Sequence, residues 1–161
     1  MMKVSEWVVA VDCRSQQVYA LEGSPDALAE FNSLIKQVGV RVTSAEIATD
    51  VFSFFSKVVY GQRFQSQIIR DEMHLESLAL QDFGLGVPTE RKRRSFERWW
   101  KGVSAATRKD LTRPQAVRSE DGFAVQYFHY SRGNIYRAGV IVKADGTVVE
   151  GKSVLLTRRG M

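Results

Sequence analysis

Apolar positions cluster as short runs at both ends of the chain and recur at helical spacing in the middle, a pattern that predicts strands, then helices, then strands. Residues 7–12, WVVAVD, and 18–21, VYAL, are two such runs joined by the polar stretch Cys13–Gln17, and they predict a β-hairpin. Gly23-Ser24-Pro25 then marks a helix entry, with Ser24 as N-cap and Pro25 in the first turn. Leu28, Phe31, Leu34, Ile35 and Val38 keep one face apolar, and Gly39 closes the helix. After the extended run 40–42, Thr43 or Ser44 caps a second helix. There Ile47, Val51, Phe54, Phe55 and Val58 recur at helical spacing, while Phe52 and Val59 lie on other sides. That distribution predicts a central helix buried nearly all round.

Gly61 interrupts this segment, and residues 62–83 read as a further helix or bent extension. Phe64, Ile68, Leu75 and Leu78 form its stripe, and Ile69, Met73, Leu80 and Phe83 add covered positions. The run Gly84-Leu85-Gly86-Val87-Pro88 ends it and places a hinge at 84–89. Beyond Pro114, FAVQYFHY, IYRAGVIVK and TVVE are strand-like, joined by turns at 131–134 and 144–146, the second carrying the strong Asp145-Gly146 signal. Along the middle strand Tyr136, Ala138, Val140 and Val142 form the expected core face. Ile135, Arg137, Gly139, Ile141 and Lys143 form the other. The fold expected is therefore α+β in a single domain, 1–161: an N-terminal hairpin and helix, a helical middle, and a C-terminal antiparallel meander covered by helices. The tail frays from 157.

Charge changes the picture at one place. The chain has 23 Lys+Arg against 18 Asp+Glu; residues 89–118 hold ten of the basic and three of the acidic groups, a local +7, leaving −2 on the other 131 residues. Within ERKRRSFERWWKG, Arg91, Arg94, Arg98 and Lys101 fall on one side of a helix and Phe96, Trp100 and Val103 on the opposite side. Trp99 lies on the flank, free to cover the core edge or to sit beside the arginines. Thr89 is the expected N-cap, although Lys92 occupies the capping-box position and the arginines of the first turn oppose the helix dipole.

A concentrated basic row with an adjacent tryptophan fits phosphate contact and base stacking. Arg137 and Lys143 on the second sheet face, with either Tyr127 and His129 or Phe128 and Tyr130 beside them, extend that surface. The candidate nucleic-acid or polyanion-binding residues are Arg91, Arg94, Arg98, Trp99, Lys101, Arg137 and Lys143. A solvated amphipathic helix whose arginines snorkel, or a module docking on an acidic protein surface, are the competing accounts. Whether the partner is DNA or RNA is open at this point.

Enzymatic readings are weaker. Asp12 at a strand end resembles a metal-binding carboxylate position of a small nuclease, but the neighbouring strands supply no second carboxylate, and a turn residue explains it. Asp71, Glu72, His74 and Glu76 are metal-capable types at helical spacing, without the repeated Glu-x-x-His that a dinuclear bundle uses. Residues 146–153, GTVVEGKS, satisfy the phosphate-loop pattern, yet their interior is a β-run with too little chain beyond it to form a nucleotide-hydrolase core. No catalytic residue, metal or cofactor is assigned. The single cysteine, Cys13, forms no internal disulfide; no apolar run reaches spanning length, and the N-terminus meets charge too early for a signal peptide. An interior, cytoplasm-like compartment is expected.

Overall fold

Helices occupy the middle of the chain and strands both ends, giving the α+β architecture and the C-terminal antiparallel meander. The computed structural model describes residues 9–11, 18–21, 26–61, 67–84 and 89–157. The elements run β1 (Val9–Val11), β2 (Val18–Ala20), α1 (Ala27–Val38), α2 (Ala45–Val59), β3 (Ile68–Ile69), α3 (Glu72–Asp82), α4 (Glu90–Gly102) and α5 (Ala105–Asp110). Strands β4 (Gln115–Ser119), β5 (Gly122–Ser131), β6 (Asn134–Lys143) and β7 (Val148–Thr157) follow. β1 and β2 pair antiparallel as the expected hairpin, and the larger sheet has the order β3-β5-β6-β7, with β4 also paired to β5. The described chain forms two compact units, Met1–Ser66 with Ala116–Val125 and Val140–Glu150, and Gln67–Gln115 with Gln126–Gly139 and Gly151–Met161. Strands β5, β6 and β7 contribute residues to both.

In the first unit, α1 ends at Gly39, whose N–H donates to the carbonyls of Ile35 and Lys36 and whose left-handed backbone (φ 74) turns the chain so that the Val40 N–H also reaches Ile35. The predicted entry at Ser24-Pro25 lies outside the described residues; the helix begins after Asp26, which makes no side-chain cap bond. Of the two candidates, Ser44 caps α2, accepting from the Ile47 N–H at 3.2 Å. Ala48, Phe52, Phe55 and Val58 form the buried stripe, and Phe55 meets Phe31 edge-on at 5.2 Å. The expectation of all-round burial fails at Phe54, which is 46% exposed: one contiguous stripe contains Phe52, and Phe54, two residues on, turns away from it. The β6–β7 loop has Gly146 in the left-handed region (φ 80), donating to the Lys143 carbonyl, while Lys143 N–H reaches Thr147. At the start of β7, the Asn32 amide donates to the Val148 carbonyl at 2.9 Å and accepts from its N–H at 2.7 Å, satisfying a backbone pair at the sheet edge.

In the second unit, residues 68–69 are a strand, correcting the helix expected across 62–83. Ile68 and Ile69 are buried β-branched residues paired with His129 and Phe128, and Asp71 adopts an extended backbone (φ −168). The Asp71 carboxylate then caps α3 by accepting from His74 N–H at 2.8 Å. Met73, read as covered, is 77% exposed. The basic stretch breaks at Val103, and Ser104 caps the short α5, accepting from Thr107 N–H at 3.0 Å. Strand β4, QAVRS, has no buried residue and so no apolar run that marks it in the sequence. The core of this unit joins Ile69, Leu75, Phe83, Trp99, Val103, Phe128, Tyr130 and Ile135.

The buried positions of β5 change parity along its length. Phe123, Val125 and Tyr127 are buried, then Phe128 and Tyr130; on β6 the buried set is Ile135, then Ala138, Val140 and Val142. A single core face along β6 is therefore half right: Ala138, Val140 and Val142 are inside, Tyr136 is half-buried, and Ile135 on the opposite parity is fully buried. The strand is long enough to serve two cores, and strict alternation read as one face conceals that. The predicted hinge at 84–89 falls mostly, and the predicted tail almost entirely, outside the described residues.

Candidate nucleic-acid interface

Helix α4 starts where expected. The Thr89 hydroxyl accepts from Lys92 N–H at 3.4 Å, and Glu90 supplies a first-turn acid that offsets the opposition between arginines and dipole. Its inner face holds Phe96, Trp99 and Val103, not the Trp100-centred set. Trp99 is only 6% exposed, packs near Phe83, Phe96 and Tyr130, and donates its indole N–H to the Gly133 carbonyl at 2.8 Å. Spacings of 96-99-103 and 96-100-103 are both helical, so a wheel cannot choose between them. The carbonyl waiting at Gly133 decides it, because a buried indole needs an acceptor. Trp99 is thereby removed from the candidate contact residues as a stacking platform.

Trp100 takes the flank and is half-buried, stacked against Phe96 with centroids 6.0 Å apart and 18° between planes. The guanidinium of Arg108 lies 5.3 Å from its ring centroid. Arg108 also donates to the carbonyls of Trp100 and Val103, both at 3.2 Å, and pairs with Glu72 at 3.1 Å. It thus closes the C-terminal end of α4 with a cation, where the helix dipole favours one. Sequence reading missed this residue. Its position five residues after Val103, across the break at Ser104, was the available signal.

Arg91, Arg94, Arg98 and Lys101 are all exposed on the side of α4 away from Phe96 and Val103. Ten steps at helical rise spread the row over about 15 Å. Arg94 pairs with Glu90 at 2.9 Å and Arg93 with Glu97 at 3.4 Å, both solvent-exposed i,i+4 bridges of little energetic weight. Among the described residues Arg91, Arg98 and Lys101 enter no ion pair. Charge also divides unevenly by unit: the second holds fifteen Lys+Arg and seven Asp+Glu, the first eight and eleven.

The sheet residues do not complete the surface as expected. Lys143 belongs to the first unit, whereas Arg137 belongs to the second, exposed two residues beyond buried Ile135 and on the same strand parity. Phe128 and Tyr130 are in the core. The accessible rings are His129 and Tyr136, stacked 4.7 Å apart at 8°, with Tyr127 tilted at 6.1 Å from His129. Tyr136 is adjacent to Arg137 in the strand, so the two side chains occupy opposite faces. Within the second unit, therefore, Arg137 has no exposed ring beside it on its own face among the described residues of β5 and β6.

Of the other candidates, Asp12 lies outside the described residues. Asp71 is engaged as an N-cap and Glu72 with Arg108; among the described residues no group of three His, Cys, Asp or Glu is arranged to hold a metal. Partial burial, and then Arg70, hold His74 below the usual histidine pKa, against the opposing pull of Asp71. In the phosphate-loop pattern, Gly146 is a turn residue and 148–153 lie within β7, whose extended backbone does not form a helix-ended anion cradle. Among the described residues no helix is long and apolar enough to cross a membrane. Comparison with protein-family models, with curated proteins and with solved structures finds no match.

Proposed function

We propose that this chain is a non-enzymatic nucleic-acid-binding protein that uses the exposed face of α4 to contact the phosphate backbone of a duplex. The observation carrying this reading is the row Arg91, Arg94, Arg98 and Lys101, presented to solvent on a helix whose other face is anchored in a core through Trp99. Burial of Trp99, and the cover of Phe96 and Arg108 on Trp100, leave this face with cations and no stacking ring. Backbone neutralisation, which every duplex offers at regular spacing, suits such a face better than the ring-by-ring stacking of single strands.

Titration over a range of salt concentrations tests it. Four phosphate contacts give a slope of log K against log salt of about −3.6 on duplex DNA. The double variant R91A/R98A is expected to make that slope less negative by about 1.8, with an unchanged unfolding midpoint. Duplex DNA, single-stranded DNA, RNA and a non-nucleic polyanion of similar charge density are compared in parallel. Affinity for nucleic acid no greater than for the polyanion, or unaltered in R91A/R98A, refutes the reading and favours docking on an acidic protein.

A further inference from the structure

Arg132 is the only non-glycine among the described residues with a positive φ, 49°, and it is exposed. It occupies the first central position of the β5–β6 turn, with Gly133 (φ 79) at the second. Two consecutive left-handed residues are what a tight hairpin turn needs, and Asn, Asp or Gly are the residues that adopt the first of them cheaply. An arginine there conflicts with the local backbone, and such conflicts concentrate where a side chain is kept for binding.

Two further observations give the conflict a direction. The Gly133 carbonyl accepts the Trp99 indole N–H at 2.8 Å, so the turn is held against α4. Arg132 precedes Gly133, and Arg98 precedes Trp99, each by one Cα step of about 3.8 Å, so each arginine lies one residue from a partner of the same buried hydrogen bond. Moreover, the second-unit parts of β5, β6 and the turn between them, Gln126–Gly139, contain Arg132 and Arg137 and no acidic residue, and among the described residues Arg132 forms no ion pair.

We infer that Arg132 is a phosphate-contacting residue that continues the α4 row across the tip of the β5–β6 hairpin, the left-handed backbone being retained because it presents the guanidinium there. This rests on the proposed function, and it adds a contact from a second element, with the helix supplying a line of cations and the hairpin tip one beside it.

The experiment uses the full chain and a DNA duplex, with R132N, R132K and R91A/R98A beside the parent. R132N relieves the backbone, so its unfolding midpoint should rise, while its salt slope should become less negative by about 0.9, one phosphate fewer. R132K should keep the parent slope, since the charge remains. A raised midpoint with the parent slope in R132N overturns the inference and leaves Arg132 a tolerated turn residue; loss of the R91A/R98A effect in the same series shows instead that the α4 reading has failed, and the inference with it. A slope in R132K matching R132N also overturns a role based on charge.

Discussion

Replacing Trp99 with alanine tests the packing of the basic helix more directly than any change among its cations. A buried tryptophan removes about 150 to 250 Å² from water, a gross contribution of roughly 4 to 6 kcal/mol at 25 cal/mol per Å². The unfolded chain already shields part of that surface, so Trp99→Ala should cost about 3 to 5 kcal/mol. Trp99→Phe keeps most of the ring contacts with Phe83 and Tyr130 but withdraws the donor from the Gly133 carbonyl, and should cost about 1 to 3 kcal/mol. Trp100→Ala, on a half-buried ring, should cost about 1 to 2 kcal/mol. Urea unfolding followed by circular dichroism gives midpoint and slope for each variant, and equal slopes permit the comparison. If Trp100→Ala proves the costlier by more than about 1 kcal/mol, the assignment of Trp99 as the anchor is wrong.

Gly146→Ala should destabilise by roughly 2 to 4 kcal/mol, because a Cβ there would stand 2.7 Å from Ile35 Cγ2 on a backbone at φ 80; thermal unfolding reads this, and a loss below about 0.5 kcal/mol contradicts it. Burial lowers the His129 pKa in the folded chain, so the unfolded chain takes up its proton first as pH falls. Stability is then full above the unfolded value of about 6.5 and declines as pH drops through it; His129→Gln should flatten, though not abolish, that decline, since His74 shifts the same way. Arg108→Ala should cost about 1 to 2 kcal/mol by releasing the carbonyls of Trp100 and Val103, and hydrogen exchange should rise first in the last turn of α4.

Signals that act within a few residues were legible in the sequence. Thr89 and Ser44 as caps, Gly39 as a terminator and Asp145-Gly146 as a turn depend on short side chains meeting nearby backbone, and each is where the pattern placed it. What failed depends on partners distant in the chain. Ile68 and Ile69 fit a helical stripe as well as a strand until β5 supplies His129 and Phe128 opposite them. The choice between Trp99 and Trp100 turns on Gly133, 34 residues away. The aromatic and basic sheet face was misread for a third reason: alternation along β6 was assigned to one core, while Ile135 and Val140 are buried on opposite parities. The placement of the cations on one exposed helix face was legible because it is set by spacing within one element; any extension to Arg137 and Lys143 depends on tertiary placement.

Docking and binding should also be coupled through α4. Thirteen residues are too few for a stable isolated helix in water, and this one carries six Lys+Arg against two Glu, so α4 holds its shape chiefly through Phe96, Trp99 and Val103. On the proposed reading, phosphates bind only the folded row, and a ligand at a hundred times its Kd stabilises the state it binds by about 2.7 kcal/mol. The same linkage runs in reverse: a substitution that populates the undocked helix lowers affinity by the fraction no longer competent. Trp99→Ala should therefore weaken duplex binding although the indole touches no ligand, and it should do so without changing the salt slope, because whatever fraction folds still meets the same phosphates. Arg98→Ala should do the opposite, making the slope less negative by about 0.9 with little effect on unfolding. Measured together, the two variants separate the residue that positions the surface from the residue that is the surface; a slope change in Trp99→Ala equal to that in Arg98→Ala would mean that the ring itself meets the nucleic acid.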